Sequence, residues 1–184
     1  YGEAYIPGET DKEILISTYI CHPSMANNEC SGPAVSVFLQ RYIKSLPKRK
    51  YSYRFIYIPE TIGSITYLSK NHKEMKEKVV TGLNLSCVGD HHTYSFVQSR
   101  YGNTITDKLL HNLLQFYYPE YNAYSFLERG SDERQFCAPG IDLPVCTVCR
   151  TKYGKFKEYH TSADDLSYVS PEGLGGTLEL LKLF

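Results

Sequence analysis

Tryptophan is absent from the 184 residues, methionine occurs only 2 times, and neither sign of charge prevails, with 20 lysines and arginines against 20 aspartates and glutamates. A chain with zero formal net charge has no broad basic face to neutralise a phosphate backbone, which argues against nucleic acid as a partner. No apolar run approaches the roughly 18 to 20 residues of a membrane span, and residues 1–20 lack the basic start and apolar core of a secretory leader. The expected setting is therefore cytoplasmic, away from membranes. Repeats, low-complexity tracts and a convincing linker are also missing. With 42% hydrophobic side chains, this length predicts one domain with one substantial core.

Among the 6 cysteines, Cys146 and Cys149 form a CxxC, but no second pair stands at zinc-ribbon spacing. "LPVCTVCRT" reads as a strand, where positions three apart point to opposite faces, so reduced and mostly buried thiols are expected. The 17 tyrosines are read as packing residues of sheets and half-buried helices in preference to sugar-stacking surfaces.

Strand-like and helix-like segments alternate. Residues 13–21, 53–59, 79–88, 93–99 and 143–149 are β-rich runs, mostly too continuously apolar to be half exposed. After the first comes a helix with Ser31 as N-cap, Pro33 in its first turn and Val35, Leu39 and Ile43 on one face. A second helix is predicted over 62–78, with Ile62, Ile65, Leu68 and Met75 inward, and a third over 104–117. Short helices around 132–138 and 172–183 complete an α/β pattern that implies a mixed, largely parallel sheet sandwiched by helices.

Ligands of such sheets gather beyond the carboxyl ends of the strands. His22 follows the first strand, Glu60 the second, Asp90 the third, and His160 lies in the loop before the last helix; Glu29 joins from the turn before the first helix. Two imidazoles and several carboxylates suit zinc or a similar divalent ion, which would make hydroxide available near neutral pH for hydrolysis at a carbonyl. Plainer readings stand beside this one. Asp90 can shape a turn with Gly89, Glu29 can complement the positive end of a helix, and a lone histidine is more often structural than a ligand.

Five blocks, "HPSMANNECSGPA", "PETIGSITYLS", "LNLSCVG", "GSDERQFCAPGIDLP" and "YHTSADDL", occur in the order and approximate spacing of those that mark zinc-dependent aminopeptidases of the bacterial leucine-aminopeptidase type and their glutaminyl-cyclase relatives. More closely, the chain resembles bacterial proteins with an aminopeptidase-like domain, often associated with surface-polysaccharide gene neighbourhoods. The resemblance implies a zinc-exopeptidase architecture over residues 1–184, read as a single aminopeptidase-like catalytic domain and a fragment of a longer chain. It also implies one or two zinc ions held by His22 and His160, and a small peptide or aminoacyl substrate.

The departures from the family blocks are specific. Ser24 replaces the aspartate that orients the first histidine, the metal-bridging aspartate falls on Asn28, the paired glutamates reduce to Pro59-Glu60, and Ser86 stands where a ligand aspartate is expected. Three readings follow. In the first, His22, Glu29, Asp90 and His160 hold zinc and Glu60 is the base of a hydrolase, with Asp132 (or Glu133) receiving a substrate ammonium or Arg134 a carboxylate. In the second, a single-zinc, cyclase-like acyl transferase uses Glu60 as a ligand. In the third, the domain binds a peptide, amino sugar or glycan without turnover.

Overall fold

The computed structural model describes all residues 1–184. Seven strands form one sheet: β1 (Gly2–Ile6), β2 (Glu13–Tyr19), β3 (Ser52–Ile58), β4 (Val79–Leu85), β5 (Ser95–Val97), β6 (Asn122–Tyr124) and β7 (Val145–Cys149), in the order β1-β3-β2-β4-β7-β5-β6. The four central strands, β3, β2, β4 and β7, are mutually parallel, whereas β1 and β5 run antiparallel to their inner neighbours. The expected α/β class and largely parallel sheet are therefore present. The edge strands β1 and β6 escape sequence reading, because β1 alternates exposed and half-buried positions and β6 has only 3 residues.

Alternation along the strands divides the core between two faces. On one face Ile16, Phe55, Leu83 and Val148 pack under α1 (Ser31–Ser45), α3 (Ile105–Tyr117) and α5 (Pro171–Leu183). On the other, Leu15, Ile56 and Val145 meet α2 (Ile62–Lys78) and the short α4 (Glu133–Phe136). Cys146 and Cys149 of β7 belong to different clusters, as opposite-facing positions must. All six thiols are free, four of them buried, while Cys21 and Cys30 are exposed.

Two helix readings need correction. Ile62 and Ile65 are 70% and 53% exposed, and Tyr67 takes the inward place beside Leu68 and Met75. Ser31 is not an N-cap, because a π-helical turn over Ala26–Cys30 runs directly into α1. Its buried hydroxyl instead donates to the Asn27 carbonyl (2.5 Å) and accepts from the Val88 N–H (3.0 Å), joining the loops after β2 and β4. The chain leaves β2 through α1 toward β3 on one side and leaves β4 for β5 on the other, beyond β7, so the loops diverge at the β2/β4 boundary and open a crevice beyond the carboxyl ends. The start of α5 closes against this region. A Cβ at Gly173 would stand 2.1 Å from the Gly89 carbonyl oxygen, so only glycine permits the approach.

Candidate active site

His22 and His160 lie 138 positions apart by number, yet their ring centres are 5.2 Å apart with the planes inclined by 28°. The cause is Asp164, which is 1% exposed. Its carboxylate accepts from the backbone N–H groups of Asn27 (2.6 Å) and Asn28 (2.9 Å), and its carbonyl accepts from that of Ala26 (3.0 Å). A carboxylate at the amino end of the π turn satisfies donors that would otherwise be orphaned and complements the local dipole. The histidine-bearing loops are thus fastened together by the aspartate four positions after His160.

The π turn buries Asn27, Asn28 and Glu29. Glu29 Oε2 accepts from the His22 backbone N–H and lies 3.2 Å from His22 Nδ1. Cys21 Sγ lies 3.2 Å from the same nitrogen. One ligand atom from each of Cys21, His22 and Glu29 falls within 4.8 Å of the others. His160 is outside that group, although two imidazoles on one tetrahedral zinc have ring centres about 5 Å apart, close to the separation observed.

A cation fits these residues. Glu29 is 4% exposed and has no lysine or arginine partner, and Asn28 Oδ1 is buried without a donor. A buried anion and an unpaired acceptor in one turn are costly unless something positive compensates them. Thiolate, imidazole and carboxylate together are a donor set suited to zinc.

Asp90, expected as a ligand, is placed apart from the Cys21 group and engaged in hydrogen bonds between loops. It is fully buried, and its two oxygens accept from Asn27 Nδ2, the His92 N–H and both the N–H and hydroxyl of Thr151, at 2.7 to 3.1 Å. It pins loops together outside the Cys21 group. Ser86, where the family blocks imply a ligand aspartate, is 2.7 Å from the Tyr19 hydroxyl. That hydroxyl donates to the Asn28 carbonyl (2.8 Å) and receives from Asn28 Nδ2. A neutral trio, hydrogen-bonded to one another apart from the unpaired Asn28 Oδ1, therefore occupies the positions of two missing acids.

Glu60 stands at the end of β3, half exposed, and its backbone N–H points to Cys21 Sγ at 3.2 Å. Its side chain accepts from Ser131 Oγ (2.7 Å), which in turn accepts from Asn84 Nδ2 (3.1 Å). The next residue, Thr61, has φ 63° and ψ −68°, and the Ile62 N–H reaches the Glu60 carbonyl at 2.7 Å. This is the strained form of γ-turn, unfavourable for a β-branched residue. Asp132 and Arg134 hold it in place. Asp132 Oδ1 accepts from the Thr61 N–H and Ser64 Oγ, both at 2.7 Å, and Arg134 donates to Thr61 Oγ1 (2.9 Å) and the Ser131 carbonyl (3.1 Å). Arg134 is half-buried, whereas Asp132 is fully buried, away from any substrate; the hydrogen bonds of both fall on the segments around Glu60. Glu133 is equally buried and is satisfied by Gly130, Ser131, Thr147 and Tyr153.

Burial, reinforced by the nearby carboxylates of Glu60 and Glu133, pushes Asp132 up to about 6 despite the hydrogen bonds from Thr61 and Ser64. Between about pH 4 and 6 the folded chain then holds a proton that the unfolded chain has released, so stability falls as pH rises through this window. Urea unfolding of the wild type and Asp132→Asn, which keeps the Oδ1 acceptor, should show this: the variant lacks a loss on the order of 3 kcal/mol between pH 4 and 7. Parallel pH profiles for the two proteins would refute the assignment.

Residues 1–183 match the model of a family described as a domain of unknown function, DUF4910. The chain belongs to that family. A Clostridium acetobutylicum protein named for polysaccharide biosynthesis and an aminopeptidase-like domain is 47% identical to the DUF4910 chain over 174 residues, 95% of this chain and 39% of the relative. A crystal structure of a C. acetobutylicum protein named as a peptidase superposes with a TM-score of 0.93 and 44% identity, covering 98% of this chain and 42% of the other. A zinc aminopeptidase from Bacillus subtilis shares the fold, with a TM-score of 0.77 and 19% identity over 98% of this chain and 48% of that one. The resemblance carried by the motif blocks thus holds for family and fold. The DUF4910 chain spans about two fifths of the length of its C. acetobutylicum relatives. No helix in it is long and apolar enough to cross a membrane.

Two features of this site escape sequence reading. The expectation of mostly buried thiols does not single out Cys21, although its position beside a histidine at a strand end is a signal. Asp164 appeared only as part of a motif.

Proposed function

We propose that the DUF4910 chain is the catalytic domain of a metal-dependent hydrolase that cleaves an amide bond of a small peptide or aminoacyl compound. The observation that carries this reading is the placement of Glu60 against the Cys21, His22 and Glu29 group, through the Glu60 N–H on Cys21 Sγ. Cys21, His22 and Glu29 would hold one divalent cation, zinc by donor type, with His160 beside them as a further ligand. When bound, the cation supplies a Lewis acid for the scissile carbonyl and acidifies water. Glu60, anchored through one oxygen by Ser131, uses its other oxygen to take the proton of the attacking water and return it to the leaving nitrogen. The neutral Tyr19, Ser86 and Asn28 trio supports a single ion over a pair. Asp164 brings the two histidine loops together before any ion arrives.

Protein purified without chelator is expected to carry close to one equivalent of zinc per chain and to release the chromophore of aminoacyl anilides. Both properties should disappear after chelation and return with added zinc. Ligand binding with no turnover at full zinc occupancy would instead establish a binding domain.

A further inference from the structure

Arg150, the residue after β7, is 5% exposed, and its guanidinium carbon sits 3.6 Å from the centre of the Tyr94 ring. No carboxylate lies within ion-pair distance, and both Nε and Nη1 are buried without an acceptor. An aromatic face offsets part of the cost of burying a cation but cannot accept its N–H groups in the guanidinium plane. Packing holds the group there. A Cβ at Gly176 would stand 2.5 Å from Tyr94 Oη and 3.1 Å from Arg150 Nη1.

Arg150 forms one wall of a pocket of about 380 Å³, shared with His91, His92, Tyr94, Tyr118 and Tyr121. Tyr94 and Tyr118 stack at 3.9 Å between ring centres. Glu120 is exposed on the rim and makes no ion pair with Arg150. Neither Glu60 nor any member of the Cys21 group lines this space. An unmatched cation, two imidazoles and tyrosine walls in a cavity of small-ligand size make a complementary environment for a negative group on a ring-shaped body.

We propose that this pocket binds a small molecule bearing an oxyanion, phosphate or carboxylate, on a ring of about sugar size, with Arg150 as counter-ion. The site is independent of the hydrolase reading, because its residues and its ligand need no metal. Arg150→Met removes an unpaired buried cation and should leave unfolding in sodium chloride unchanged or slightly improved. Thermal unfolding at fixed ionic strength then compares chloride with inorganic phosphate, glucose 1-phosphate and glucuronate. Wild type should show a saturable rise in Tm with at least one oxyanion, and the variant should show none. A response to the two phosphates alone assigns phosphate; a response to glucuronate alone assigns carboxylate. In wild-type protein the imidazole resonances of His91 and His92 should shift on the same titration while those of His72 stay in place, a readout that needs no variant. Equal Tm in all four salts together with unmoved His91 and His92 resonances, or a rise that persists in Arg150→Met, overturns the proposal.

Discussion

Glu60→Gln is expected to lower kcat on an aminoacyl anilide by about 10²- to 10⁴-fold while leaving zinc content unchanged, the loss typical of removing a positioned general base. The separation of the two readouts comes from the local geometry. Glutamine keeps an oxygen to accept from Ser131 Oγ, and the contact with Cys21 Sγ is made by the backbone N–H, which the substitution does not touch. Folding and the metal group should therefore survive, and only the proton acceptor is lost. Kinetics on protein with verified metal occupancy give the measurement. A variant that retains wild-type turnover would remove Glu60 from the chemistry, whereas a parallel loss of zinc would make it a ligand, as in the cyclase-like reading.

The second large effect concerns the thiol. Cys21→Ser and Glu29→Gln should each weaken metal binding by more than about 10²-fold, beyond the 10- to 100-fold typical of changing a residue that only supports a ligand. Cobalt loading adds a specific readout, because a thiolate ligand gives a near-ultraviolet charge-transfer band that oxygen and nitrogen ligands do not. The band is expected in wild type and in Cys30→Ser, and its absence is expected in Cys21→Ser. Cys30 is the right control because it too is exposed but lies outside the metal group. Metal should also protect Cys21, and not Cys30, from alkylation. A cobalt spectrum indifferent to Cys21 would leave His22, Glu29 and His160 to hold the ion without sulfur.

These predictions differ from what the motif blocks alone would suggest, and the reason is physical. The blocks identify residues by type and spacing, but Asp90 has both oxygens engaged between loops, and Asp132 Oδ1 and Arg134 Nε and Nη2 are spent on the Thr61 turn, with Asp132 Oδ2 left buried and without a donor. Asp90 accepts four hydrogen bonds between loops. Asp132 and Arg134 stabilise an unfavourable turn at Thr61, a need that no sequence pattern announces, because φ 63° at a threonine is imposed by its surroundings. The conformation of His160, φ 57°, is likewise a product of its loop's attachments.

What the sequence determined by itself was the architecture and the rim on which the candidate side chains gather. Short continuous β-rich apolar runs mark buried strands and a 3.6-residue period marks helices, so strands β2, β3, β4 and β7 and the helices between them are legible locally, as is the gathering of His22, Glu29 and Glu60 at the carboxyl ends. Only the tertiary structure decided which polar atoms remain free once hydrogen bonds are made. It joined Cys21 to His22 and Glu29, set Asp90 in a network between loops, laid Asp132 and Arg134 against the Thr61 turn, and left Arg150 buried beneath a tyrosine with no acid beside it. Periodicity is a property of neighbours along the chain, whereas the commitment of a carboxylate or guanidinium depends on groups dozens of residues away.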